Sequence, residues 1–173
     1  RDYFSARGSD GAAFALPPSA PAVAFEALSS DAWNVLAASD FESDDGWTVQ
    51  NEAGTIGGWE RGVPPASDRR GGPIRDADGS GSCWTTGLAL NVDLEQGPSR
   101  LLSPVYDLSG TLDPHVDVSI WLNDDGSSEV IEVDFSDDGG STWASVETTG
   151  TTPGGWRPST YRIADSVALT DSF

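Results

Sequence analysis

A chain of 173 residues is long enough for one domain with a real core, or for one domain and an appendage, but tight for two. With 28 acidic residues against 9 basic ones, every basic one an arginine, its formal charge is -19, which repels nucleic acid and anionic membrane surfaces and suits divalent cations or a salty medium. No run approaches the roughly 18 continuous apolar residues of a spanning helix, no stretch reads as a signal peptide, and Cys83, the only cysteine, leaves no internal disulfide to form. The lack of methionine points to a fragment or a processed product.

The first elements lie before Pro17. Two alternating runs, Tyr3 to Ala6 and Ala12 to Leu16, flank Gly8-Ser9-Asp10-Gly11, and glycine and aspartate supply the positive φ of a tight reversal, so a β-hairpin is predicted. Pro17, Pro18 and Pro21 stiffen the Ala- and Ser-rich stretch that follows, where VAFEAL (Val23 to Leu28) is the one candidate helical turn or strand. Residues 1–39 are therefore expected to be a hairpin and linker, either docked on the main domain or closing a preceding module. Residues 40–173 are expected to form the main domain.

From Asp40 onward short β-runs are punctuated by Gly, Pro, Asp and Asn. HVDVSIWL places Val116, Val118, Ile120 and Leu122 on one face and His115, Asp117, Ser119 and Trp121 on the other. EVIEVDFS turns Ile131, Val133 and Phe135 inward. The loop NDDGSS separates these runs, and SDDGGSTW reverses the chain into WASVETT, so an antiparallel meander is predicted. Strand spacing near ten residues, without a long helical period, argues for an all-β, antiparallel two-sheet β-sandwich.

Ser136-x-Asp138-x-Gly140-x-Thr142-Trp143 resembles the Asp-box hairpin, known from sialidase propellers and from unrelated extracellular β-domains. Its requirements are structural: an aspartate that accepts amide hydrogens, a glycine at a conformation other residues resist, and an indole that packs the turn onto its own sheet. A propeller needs at least four blades of about four strands, about twice this chain, and the motif occurs once. The scattered arginines do not make a sialidase pocket.

DFESDDGWTV (Asp40 to Val49), GGWERGVP (Gly57 to Pro64), DADGSGSCWTT (Asp76 to Thr86), SRLLSPVYDLSG (Ser99 to Gly110), EVIEVDFSDDGGSTW (Glu129 to Trp143) and GGWRPSTYRIAD (Gly154 to Asp165) together resemble a MAM-like jelly-roll module. Such modules accompany large secreted bacterial proteins, including immune inhibitor A-like metallopeptidases. The resemblance implies a non-catalytic, jelly-roll-like sandwich with a structural calcium ion, working extracellularly or at the cell surface beside other domains of a parent protein. Glu42, at the first strand of the module, and Asp76 with Asp78, in the loop before Cys83, are the calcium positions it favours, with a paired edge residue (Glu42) and solvated turn formers (Asp76 and Asp78) as the alternative readings; DADGSG is not an EF-hand loop. Asp44, Asp45, Asp124 and Asp125 read as plain acidic loops. The resemblance also implies one or two more strands after Tyr161 to Ala168, so an open edge is expected, fillable by the N-terminal hairpin of the same chain or of a neighbour through strand exchange.

Other chemistry is sparse. His115, the single histidine, cannot build a two- or three-histidine zinc site, and Ser119 on the same strand lies beside its imidazole rather than in front of it. Cys83 next to Trp84 reads as a small buried hydrophobe, and Arg69 with Arg70 as a solvated loop. Trp47, Trp59, Trp84 and Trp143 are expected in the core. Trp121 stands on the polar face, either as an exposed platform for a glycan or protein ligand or beneath a loop. The expected function is adhesion, assembly or spacing; the alternative is a carbohydrate-binding module of a secreted hydrolase. No acid-base constellation suggests an enzyme.

Overall fold

The computed structural model describes residues 4–7, 13–16, 34–65, 71–123, 129–150, 152 and 155–173, the first two segments as backbone alone. The chain divides into two compact units, Arg1–Ala38 and Ser39–Phe173. The fold is all-β: among the described residues every strand pairs antiparallel, and the sole helical element is the 3-10 turn Ile163–Asp165. No helix among them is long and apolar enough to cross a membrane.

In the first unit β1 (Phe4–Arg7) pairs with β2 (Ala13–Leu16), Phe4 opposite Leu16 and Arg7 opposite Ala13. This is the hairpin that the alternating runs predict. The turn between them and the VAFEAL segment lie outside the described residues.

Among the described residues the second unit holds four strand pairs. β3 (Thr48–Asn51) pairs with β6 (Ser99–Leu102), and β4 (Trp59–Gly62) with β5 (Cys83–Thr86). Ser99 joins the two pairs: its hydroxyl accepts from the Trp59 amide at 3.1 Å, its carbonyl accepts from the Trp59 indole at 3.0 Å, and its hydroxyl donates to Asn51 at 2.6 Å. Ile56 and Glu95 exchange both backbone hydrogen bonds beside this junction, at 2.9 and 2.8 Å. The next residue has to be glycine, because Gly57 sits at φ +69° and a Cβ there would lie 1.9 Å from the Asp93 carbonyl oxygen.

β7 (His115–Ile120) pairs with β10 (Arg157–Arg162), and β8 (Ile131–Phe135) with β9 (Ala144–Thr149), the latter with a register shift between Val133 and Asp134. The predicted alternation holds on β7 and β8, where Asp117, Ser119, Glu132 and Asp134 face out while Ile120 and Phe135 are buried. The predicted meander holds from β8 to β9 but not from β7 to β8: among the described residues β7 takes as its partner a strand from some forty residues downstream rather than adjacent β8. Alternation specifies which face of a strand is buried, not which strand lies beside it.

The inward side chains of these two pairs meet in one core. Leu108, Phe135 and Ile163 are its buried centre, with Val116 and Tyr161 from β7 and β10, and Val133 and Val146 from β8 and β9, packed around it. Phe135 is the hub, edge-on to Tyr161 at 6.2 Å and to Phe173 at 5.3 Å between centroids. After the 3-10 turn the chain returns across this core. Leu108 donates its amide to Thr170 at 2.7 Å, and Tyr106 and Phe173 exchange backbone hydrogen bonds. Backbone hydrogen bonds thus tie the stretch after Ala168 to Tyr106 and Leu108.

Candidate functional site

The acidic loop between β4 and β5 gathers the residues expected to hold calcium. Gly79 at φ +85° and Gly81 at φ +141° let the chain fold its amides back onto the preceding carboxylates. Asp76, only 5% exposed, accepts from Gly79 at 3.1 Å and from Gly81 at 2.7 Å. Asp78 accepts from the Ser80 amide at 2.9 Å. Glu42 lies in a bend ahead of β3 rather than on the strand expected for it, and accepts from the Ser82 amide.

All three carboxylates reach the Ser80 hydroxyl, Asp78 at 2.7 Å, Asp76 at 3.0 Å and Glu42 at 3.2 Å. A hydroxyl has one proton to donate, so three anionic oxygens compete for it. The Gly81 amide, outweighing the opposing effect of burial, holds the Asp76 carboxyl down at about 2. Every side-chain donor atom here is a hard oxygen, the kind calcium takes. Even so, among the described residues no group of three or more His, Cys, Asp or Glu side chains is arranged to hold a metal ion.

Cys83, at the start of β5, is buried, as its neighbourhood in the sequence predicts. Burial first, and the Asp76 charge second, push its thiol up to about 11. In the bend around Glu42, Asp44 accepts from the Gly46 amide at 3.1 Å and Asp45 from the Ser43 hydroxyl at 2.8 Å and from the Ser39 hydroxyl. These acids shape a turn rather than only coating it.

The SDDGGSTW turn forms a closed network. Ser136 Oγ donates to Asp138 at 2.8 Å and accepts from the Gly140 amide at 2.8 Å. Asp138 accepts from the Thr142 amide at 2.8 Å and from the Thr142 hydroxyl at 2.7 Å, contacts that bring its carboxyl down to about 2, the hydroxyl foremost. Gly139 and Gly140 take φ +68° and +85°. Trp143 departs from the core position expected of it: it is 48% exposed. A Cβ on Gly140 would stand 3.3 Å from Trp143 Cζ2, so the glycine lets the ring lie against its own turn.

Trp121 takes the covered one of its two expected places. Its indole donates to the Gly71 carbonyl at 3.0 Å, and its ring meets Trp156 edge-on at 5.8 Å, while Trp156 donates to the Arg75 carbonyl at 3.0 Å. Two indoles thus staple the segment 71–75, and Trp121 is half-buried beneath it. Asp124, Asp125, Arg69 and Arg70 lie outside the described residues.

Sequence reasoning misses two features. Glu147 on β9 accepts from Arg157 Nη2 at 2.5 Å and from the Tyr161 hydroxyl at 2.8 Å, both on β10, a junction that rests on tertiary pairing and leaves no local signal. The second is a groove of about 440 Å³ between the Asp-box and the segment 164–168, with Trp143, Asp137 and Asp165 on its walls. No protein-family model matches the chain, and no curated protein or solved structure matches it.

Proposed function

We propose that this chain is a non-catalytic β-module of a larger secreted or surface protein, MAM-like in architecture, serving adhesion, assembly or spacing. In this reading β7–β10 and β8–β9 are parts of the two facing layers of a jelly-roll-like sandwich, a view supported by their inward side chains sharing the Phe135 core. The observation that carries the functional reading is the use made of the acidic side chains. Asp76, Asp78 and Asp138 accept amide hydrogens inside their own loops, work that holds turns together and leaves them poorly placed as acids or bases. Purified protein incubated with polysaccharides and with unfolded protein substrates should release neither reducing ends nor peptides. Turnover of either substrate would overturn the reading.

Calcium belongs to the same proposal. Glu42, Asp76 and Asp78 would hold it, supported by the convergence of three carboxylates on one hydroxyl, and its contribution would be to tie the bend before β3 to the loop before β5. The midpoint of thermal unfolding should then rise with millimolar calcium and fall back with chelator, by RT ln(1 + [L]/Kd) in free energy. Asp76→Asn should abolish the response. Equal midpoints with calcium and with chelator would remove the ion from the proposal.

A further inference from the structure

We infer that the groove beside Trp143 binds a neutral oligosaccharide, one sugar ring stacking on the exposed indole while its hydroxyls reach Asp137 and Asp165. The inference rests on the proposed non-catalytic module and names the ligand of its adhesive role. Its volume of about 440 Å³ falls in the range of small-molecule sites, roughly 300–1,000 Å³.

The walls are held in place before any ligand arrives. Trp143 follows the Asp-box network and lies against Gly140. Asp137 accepts from the Ala168 amide at 2.9 Å through one carboxylate oxygen, and its carbonyl accepts from the Thr170 hydroxyl at 2.7 Å. Asp165 accepts from Arg162 Nη1 at 2.8 Å through one oxygen. A fixed aromatic face flanked by fixed acceptors cuts the ordering cost of binding.

The chemistry of the walls selects the ligand class. An anionic glycan meets two carboxylates on a chain of formal charge -19 and is repelled. A cationic segment finds those carboxylates partly satisfied, Asp165 by Arg162 and Asp137 by an amide. A purely apolar ligand would desolvate them without compensation. A sugar ring has an apolar C–H face for the indole and hydroxyl donors around its rim for the carboxylate oxygens. The other aromatic on a polar face, Trp121, has its N–H committed to Gly71 and its ring against Trp156.

The test is calorimetric titration of the whole chain with cellohexaose, mannohexaose, xylohexaose, hexagalacturonate and a hexa-arginine peptide, with tryptophan fluorescence in parallel. At least one neutral hexasaccharide should bind in the micromolar to millimolar range. Trp143→Ala should weaken it about tenfold or more, Trp143→Phe should retain part of it, Asp165→Asn should weaken it, and Trp121→Ala should match the wild type. The Phe variant guards against misreading a fold defect in Trp143→Ala. The inference is overturned if no neutral hexasaccharide binds, if binding ignores both Trp143 variants, or if hexagalacturonate or hexa-arginine binds more tightly than every neutral probe. Absence of binding without hydrolysis sinks the glycan site and leaves the non-catalytic module standing, whereas release of shorter sugars sinks the module reading instead.

Discussion

Tyr106 and Phe173 exchange both backbone hydrogen bonds, the Tyr106 amide donating at 2.6 Å and the Phe173 amide at 3.1 Å, while the Phe173 ring stands edge-on to Phe135. The segment 169–173 therefore belongs to the core of the second unit. Phe173→Ala removes the ring but spares the backbone pairing. For this half-buried ring a loss of about 2 kcal/mol is expected, below the range of a fully buried phenylalanine. Denaturant unfolding followed by near-UV circular dichroism measures it, and a midpoint equal to wild type would show that the ring contributes no packing.

Asp138 makes the Asp-box sensitive to acid. Its folded carboxyl titrates at about 2, below the ordinary aspartate value near 3.9, because the ionised form accepts from Thr142 and Ser136. The unfolded chain thus takes up its proton first as pH falls, and the stability this group contributes is full above about pH 4 and lost on the way down to about pH 2. Asp76 acts in the same window. Asp138→Asn should lower the midpoint of thermal unfolding at pH 7 and flatten its dependence between pH 4 and 2. Parallel pH profiles for variant and wild type would contradict the assignment.

The faces of β7 and β8 are legible in the sequence because a strand with one buried side must alternate, and Val116, Ile120, Val133 and Phe135 do. The partner of β7 is not, since six residues of clean alternation fit beside β8 or β10 equally well. The turn at Ser136–Thr142 is legible for the opposite reason: its contacts span four residues or fewer, so the motif contains its own structure. Glu42 meets Asp76 and Asp78 at the Ser80 hydroxyl across 34 to 38 residues of chain, a separation that no local rule bridges. Exposure of Trp143 and coverage of Trp121 depend on where the segments 71–75 and 164–168 come to rest, which tertiary packing decides.

Cys83 should be inert in the folded protein. A thiol pushed from about 9 to about 11 holds roughly 100-fold less thiolate at pH 8, and the thiolate is the reactive form. Iodoacetamide labelling at pH 8 should be at least that much slower in buffer than in concentrated urea. Comparable rates would mean that β5 opens readily or that the thiol is not buried.

The staples on segment 71–75 can be removed one at a time. Trp121→Phe deletes the donor to Gly71 and Trp156→Phe the donor to Arg75, each keeping most of the aromatic volume. Each lost hydrogen bond is worth about 1 kcal/mol, a cost expected to appear locally as faster tryptic cleavage after Arg75. Cleavage at the wild-type rate in both variants would show that the indoles merely lie near the segment.

Glu147 joins β9 to β10 through Arg157 and Tyr161, and the ion pair is about a quarter to a third exposed, its side chains at 25% and 34%. The Arg157 hydrogen bond, ahead of that from Tyr161, holds the Glu147 carboxyl below its ordinary range, so the stabilisation is present above the unfolded glutamate value and is lost as pH falls through the lower folded one. Partial exposure also means that salt weakens the pair. Glu147→Gln should lower the thermal midpoint, and a double-mutant cycle with Arg157→Gln should give a coupling that shrinks between 0.05 and 1 M NaCl, concentrations chosen to span long and short screening lengths. A coupling independent of salt would assign the junction to shape and neutral hydrogen bonding, with the Tyr161 hydroxyl as its main contributor.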